Sequence, residues 1–272
     1  MNNKKGEFNE ILKDIKSIKI QGARNVAKSA LKAYLLSPSK DSKLRLFNSR
    51  PTEPMMFHVL DLAEKGISKD EILQHFDISQ KKINENVFKL IKNKDKIFTH
   101  CHSTNVVNSL IYSKKKGKNF QVYNTETRPL FQGRKTSNEL KSAKINVTMF
   151  VDSAAAFAIE KENRKDKIYV NKVFLGADAL LKEGIINKIG SGMFAELSKK
   201  NNIPVYIVAD SWKFTKEKLK LEQRNINEIW DNAPNNIKIK NPAFEFVSKK
   251  YISGIITELG LMKYDDFIKK ME

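Results

Sequence analysis

From Lys96 onward, short apolar runs alternate with helical patterns, and this alternation limits the possible folds more than any other feature of the chain. Residues 96–99, 120–123, 147–151, 173–175 and 205–208 read as strands. Residues 103–112, 136–142, 153–161, 191–200 and 215–221 read as helices between or after them. Strand–helix alternation at this spacing implies a mostly parallel sheet with helices on both faces, an α/β, Rossmann-like domain over residues 93–272. In such folds ligands bind beyond the carboxyl ends of the strands.

The first 92 residues have a different character. Phe8, Ile11, Leu12, Ile15 and Ile18 recur at helical spacing. Further helices are expected over residues 25–36, 44–48 and 54–64, separated by Ser37-Pro38-Ser39, Arg50-Pro51 and Gly66. Residues 67–79, followed by Ile83 and Val87, resemble a helix-turn-helix. The plainer alternative is two packed helices capped by Ser68 and Ser79, and it is the one favoured. The expectation is a helical N-terminal domain, residues 1–92, ahead of the sheet.

Lys and Arg number 50 against 31 Asp and Glu, a net charge of +19. The lysines are spread through every segment, so solvated lysine faces explain the charge better than a nucleic-acid partner, although the field would still draw in a polyanionic substrate. Only seven residues are arginine. In a lysine-using chain, each retained arginine suggests a need for its planar fork, and Arg50, Arg128 and Arg134, beside Pro or Gly, are the best anion ligands among them. A single cysteine permits no internal disulfide and fits a reducing cytoplasm. No apolar run is long enough to suggest a transmembrane helix.

That cysteine, Cys101, lies in Thr99-His100-Cys101-His102-Ser103, between a strand and a helix. A lone cysteine is usually a small buried hydrophobe. A helix N-terminus with cationic neighbours instead favours the thiolate. Strand alternation turns His100 and His102 away from the face that Cys101 uses, so neither is expected as its base, and the trio lacks metal-ligand spacing. Asp178, in Gly176-Ala177-Asp178, follows another strand. It could cap a helix, or act as a carboxylic acid whose pKa burial raises. A thiol and a carboxyl at the ends of neighbouring strands could work as a proton-transfer pair. Asn187 and Lys188 could bind sugar hydroxyls or phosphate, or merely start a helix.

Taken in order, Ile20–Ala30 with Gly22-Ala23, Ser49-Arg50-Pro51-Thr52, Thr99–Ser103, Thr125–Pro129 with Gln132-Gly133, Gly176-Ala177-Asp178, Gly184–Gly190 and Asn241-Pro242-Ala243-Phe244 form a recognisable set. The set resembles the superfamily shared by initiation factor 2B regulatory subunits, methylthioribose-1-phosphate isomerases and ribose-1,5-bisphosphate isomerases, and is most similar to the archaeal last group. The resemblance spans nearly the whole chain. It implies a helical domain followed by a Rossmann-like one, assembly into dimers or hexamers, and no metal or organic cofactor. It also implies an aldose–ketose isomerase in a nucleoside-salvage route, with Cys101 and Asp178 catalytic. The substrate site would be lined by Gly22, Ala23, Arg24, Arg50, Ser103, Thr104, Asn105, Arg128, Asn187, Lys188 and Lys213. A nucleotide effector is a further partner it allows. Initiation-factor subunits usually lack the Cys/Asp pair, and a non-catalytic regulatory protein is the alternative. Two departures stand out: Gln21 replaces an arginine of the isomerases' first loop, and the segment between Arg50 and Cys101 is shorter.

Overall fold

The computed structural model describes residues 2–160 and 168–272. Five helices come first: α1 (Asn2–Lys16), α2 (Ala23–Leu36), α3 (Lys40–Ser49), α4 (Pro54–Glu64) and α5 (Lys69–Leu90). Phe8, Ile15, Val26, Ala30, Leu46, Met56 and Leu60 close one apolar cluster among α1–α4. The third helix starts earlier than its apolar pattern suggests, because the Ser39 side chain accepts from the Ser42 amide at 3.1 Å and caps it.

Residues 69–90 form one uninterrupted helix of 22 residues, not a helix-turn-helix and not two packed helices. No glycine or proline lies between Lys69 and Leu90 to turn the chain. Ile72, Phe76, Ile83 and Val87 fall on one face, and Ser79 is buried in mid-helix instead of starting a second one. This helix packs both on α2 and α4 and on the sheet domain, so it ties the two regions together.

The sheet domain begins with β1 (Lys96–Thr99), α6 (Thr104–Lys115), β2 (Gln121–Thr125), α7 (Gln132–Ser142) and β3 (Asn146–Phe150). A 3-10 turn at Asp152–Ala154 and the short α8 (Ala156–Ile159) stand where a longer helix was expected; residue 161 lies outside the described residues. Then follow β4 (Lys172–Leu175), β5 (Ala179–Leu181), β6 (Gly184–Lys188), α9 (Ser191–Lys200), β7 (Val205–Val208), β8 (Phe244–Ser248), β9 (Gly254–Thr257), β10 (Gly260–Met262) and α10 (Tyr264–Met271). Residues 215–221 are not helical; Thr215 instead donates its amide to the Leu180 carbonyl at 3.0 Å. Asn187 and Lys188 end a strand rather than start a helix.

Seven strands form one sheet in the order β10-β9-β7-β4-β1-β2-β3, parallel except for the β9–β10 hairpin. A second, antiparallel sheet stacks β5, β6 and β8 beside it. The first three strands run outward from β1 one way and β4, β7 and β9 run the other way. The order therefore reverses between β1 and β4, and a crevice opens there at the carboxyl ends. Phe98, Val173, Leu175, Val205, Ile207 and Ile255 fill one face of the sheet. Ile97, Val122, Phe174, Val208 and Ile256 fill the other, under α5 and α6. No described helix is long and apolar enough to cross a membrane.

Candidate active site

β1 and β4 are hydrogen-bonded neighbours, with Ile97 opposite Lys172 and Phe98 opposite Val173. The chain leaving β1 turns at Cys101, in the left-handed region at φ 66°. The chain leaving β4 turns at Gly176-Ala177-Asp178. Thiol and carboxyl thus reach the same cavity, of about 150 Å3, from adjacent strand ends. Gly176 is there because a side chain would not fit: a Cβ would stand 2.7 Å from the Cβ and Oγ of Ser103.

Twelve of the thirteen residues singled out from the sequence line this cavity: Gly22, Ala23, Arg24, Arg50, Cys101, Ser103, Thr104, Asn105, Asp178, Asn187, Lys188 and Lys213. Two helices begin at its wall. Gly22, at φ 84°, precedes α2, and Ser103, whose Oγ accepts from the Val106 amide, caps α6. Their first-turn N–H groups have no partners within their own helices, an arrangement suited to anions. The thirteenth residue, Arg128, lies outside. It is exposed, stacks its guanidinium 4.9 Å from the Phe131 ring centre, and gives its backbone N–H to Asp152 at 2.7 Å. Arg134, also outside, pairs with Glu126 at 3.0 Å.

The two imidazoles beside the cysteine serve the backbone. His100 Nε2 lies 2.8 Å from the Ile189 carbonyl, so it must donate there. Its Nδ1 then accepts from the Thr125 hydroxyl at 2.6 Å. Thr125 in turn accepts from Thr127 at 3.2 Å, and Thr127 accepts the Cys101 amide at 3.0 Å. This one-way chain fixes the neutral tautomer, and burial pulls His100 down to about 4. His102 Nδ1 donates to Thr136 at 3.1 Å, whose hydroxyl donates to the Cys101 carbonyl at 2.8 Å. Six polar contacts therefore hold the turn that presents Sγ.

The thiol itself is not poised as a thiolate, contrary to the expectation from its place beside a helix start. Burial pushes Cys101 up to about 11, and the Lys188 charge, which acts the other way, offsets only part of this. Asp178 behaves as expected: burial raises it, against the lowering effects of Lys213, Lys188 and Arg50. Lys213 donates to the Ala177 carbonyl at 2.5 Å, one residue from Asp178. Lys188 lies 5.0 Å above the Phe244 ring centre, and Asn187 donates to Ser191 at 2.8 Å. Arg24 is ion-paired with Asp77 on α5.

Among the lining residues, Glu53, Gln80 and Asp210 carried no sequence signal of their own, whereas Gln132 and Phe244 belong to the motif set and Arg224 is one of the seven arginines. Glu53, held between Pro51 and Pro54, could have been suspected as a carboxylate fixed in a turn beside Arg50. Asp210 belongs to a seam. It accepts from His75 Nε2 at 3.1 Å, from the Trp212 amide at 2.9 Å and from Ser79, while Glu258 accepts from the Ser211 amide at 3.1 Å. His75, Asp210 and Glu258 form the one group of three potential metal ligands among the described residues. Their oxygens are already taken by N–H and O–H donors, so the trio reads as a hydrogen-bonded join between α5 and the strand ends.

The fold and the site together define a Rossmann-like α/β protein with a helical N-terminal region over a switch-point crevice. The chain belongs to the Initiation factor 2 subunit family, which it matches over residues 45–264. It is 32% identical to a ribose 1,5-bisphosphate isomerase of Methanocaldococcus jannaschii, over 93% of this chain and 90% of that one. It is 28% identical to a methylthioribose-1-phosphate isomerase of Thermosipho melanesiensis, over 97% and 89%. A crystal structure described as translation initiation factor eIF-2B of Pyrococcus horikoshii OT3 superposes with a TM-score of 0.81 at 24% identity, covering 94% of this chain and 96% of the other; that likeness bears on the fold.

Proposed function

We propose that the chain is a sugar-phosphate isomerase that converts ribose 1,5-bisphosphate to ribulose 1,5-bisphosphate. The observation that carries this reading is the meeting of Cys101 and Asp178 in one cavity from adjacent strand ends. The similarity to enzymes named as ribose-1,5-bisphosphate and methylthioribose-1-phosphate isomerases supports the reaction class.

The substrate's C1 oxygen carries a phosphate, so the ring cannot open to a free aldehyde while that ester survives. Opening must accompany loss of the C2 proton. The Cys101 thiolate takes that proton as neutral Asp178 protonates the ring oxygen and the C1–O4 bond breaks, leaving a C1=C2 enol. The Asp178 carboxylate then takes the enol's O2 proton, and the Cys101 thiol returns a proton to C1. The ketose forms and both groups regain their starting states. The pair needs one proton between them. A raised Asp178 favours the acid form; reaching the thiolate at pH 7 from about 11, with the Lys188 charge already acting to lower it, costs about 5 kcal/mol.

Arg50, Lys188 and the first-turn amides of α2 and α6 would hold the two phosphates. The helical region over the sheet would exclude water and slow phosphate elimination from the enol. Met149 and Val151 are exposed on and just after the open edge strand β3, which supports self-association of the chain. The test is turnover of ribose 1,5-bisphosphate by the wild type, Cys101→Ser and Asp178→Asn. Loss of at least about 10²-fold in both variants is expected. A folded wild type with no turnover would move the reading to a regulatory protein that binds a sugar phosphate or nucleotide in this cavity.

A further inference from the structure

Around Arg50, five buried polar atoms have no hydrogen-bond partner among the described residues: Arg50 Nε and Nη1, Thr52 Oγ1, Glu53 Oε2 and Glu222 Oε2. Arg50, Thr52 and Glu53 share one turn, and Glu222 approaches from the far side, its Oε2 3.6 Å from Arg50 Nε. Arg50 is 6% exposed and Glu53 1%. Glu53 Oε1 accepts from Arg50 Nη2 at 3.1 Å, while Oε2 is bare although Glu53 lines the cavity. A buried guanidinium with a bare Nη1, and with only a 3.6 Å ion-pair neighbour at Nε, beside a buried carboxyl with one bare oxygen is costly unless a ligand completes the set.

The kind of ligand group follows from the donors. An anionic oxygen satisfies Arg50, but an ionised Glu53 on the same guanidinium would repel it. A protonated Glu53 turns Oε2 into a donor of the same polarity as the neighbouring N–H groups. We propose that Glu53 is a specificity-determining contact that, as a neutral carboxylic acid, donates Oε2–H to the phosphate oxygen held by Arg50, so that the phosphate binds together with one proton from solvent. This rests on the sugar-phosphate reading of the cavity. Protonation is within reach: burial first of all pushes Glu53 up to about 7, against Arg50 and Lys213, and negative charge on Asp178 or Glu222 adds to the rise only while those groups are ionised. Those four groups are the charges that face it from the turn, the β4 end, the β7 loop and the segment behind Arg50.

The experiment is calorimetric titration of ribose 1,5-bisphosphate at pH 8, in a Cys101→Ser background to prevent turnover, with two buffers of different ionisation heat. At pH 8 the phosphates are dianionic, so the difference in heat counts protons taken up by the protein. Uptake close to one proton per site is expected, with affinity falling nearly tenfold per pH unit above pH 7. Added Glu53→Gln, which keeps a donor and cannot titrate, should bind with no uptake and no such fall. Tight binding without uptake, or the same uptake in the Gln variant, overturns the role of Glu53 and leaves the sugar-phosphate reading standing. No binding at all overturns that reading and the role of Glu53 with it.

Discussion

The imidazole of His75 lies flat on the indole of Trp212, ring centres 3.4 Å apart and planes 3° from parallel. The pair joins α5 to the loop after β7, where Asp210 accepts from both residues and Lys213 reaches the Ala177 carbonyl. The seam thus sets the position of a cation beside Asp178 from the helical side of the molecule. Burial pushes Asp210 up, but the His75 hydrogen bond and charge, with Ser79 and the Trp212 amide, outweigh it and hold the carboxyl below its ordinary value. A depressed carboxyl contributes stability that is present above its unfolded pKa and is lost as pH falls through the folded one. Asp210→Asn should cost about 1–3 kcal/mol at pH 7. The deficit relative to wild type should shrink below about pH 4. Urea unfolding at pH 7 and pH 3.5 measures both. An equal deficit at the two pH values would show that charge has no part in the seam.

Cys101 is the only thiol, so its chemistry can be read without interference. At about 11 it is almost wholly protonated at pH 8. Alkylation by iodoacetamide should then run on the order of 10²-fold slower than for a free cysteine, and should rise with pH well beyond pH 9. Lys188→Gln removes the cation that lowers the thiol and should slow alkylation further. A rate that levels off near pH 8 would show a thiolate stabilised in the free protein.

Much of this site was legible because it hangs on local pattern. Cys101 and Asp178 each follow an apolar strand and so stand at carboxyl ends, one before a helix and the other before a further strand, and the sheet then makes β1 and β4 neighbours. What was not legible depends on distant partners. Gly184–Lys188 is not among the strands expected from the sequence, and Asn187 and Lys188 could read as a helix start. The segment becomes a strand by pairing with Phe244–Ser248, nearly sixty residues on. Asp210 and Glu222 look like surface carboxylates until His75 and Arg50 are brought to them. The unbroken α5 is the converse case, where a polar Ser79 suggested a cap but its hydroxyl is used by Asp210.

Gly176 tests how tightly the two active-site turns are locked. Adding one methyl drives it 2.7 Å from the Ser103 side chain, and Ser103 is both the α6 cap and a cavity wall. Gly176→Ala should destabilise the fold by about 1–3 kcal/mol. Because the displaced turn carries the helix start, kcat/KM should fall further than stability alone explains. Combining it with Ser103→Gly, which clears the clash, should restore most of the stability. If the double variant is no more stable than the single one, the contact is not what constrains position 176.

The two arginines that precede proline separate a site residue from a surface one. Arg50 is buried against Glu53 and lines the cavity. Arg128 is exposed, lies off the cavity, and meets Asp152 only through its backbone N–H. A guanidinium that grips phosphate should be worth about 1.5–3 kcal/mol in a charge-assisted contact, so Arg50→Lys, which loses the fork, should raise KM for the bisphosphate by roughly 10- to 100-fold. Arg128→Lys keeps the backbone donor and a positive charge, and should change KM less than about twofold. If instead the two variants lose affinity equally, Arg128 must reach the bound sugar phosphate in a closed form of the site, and the ligand would extend beyond the cavity described between β1 and β4.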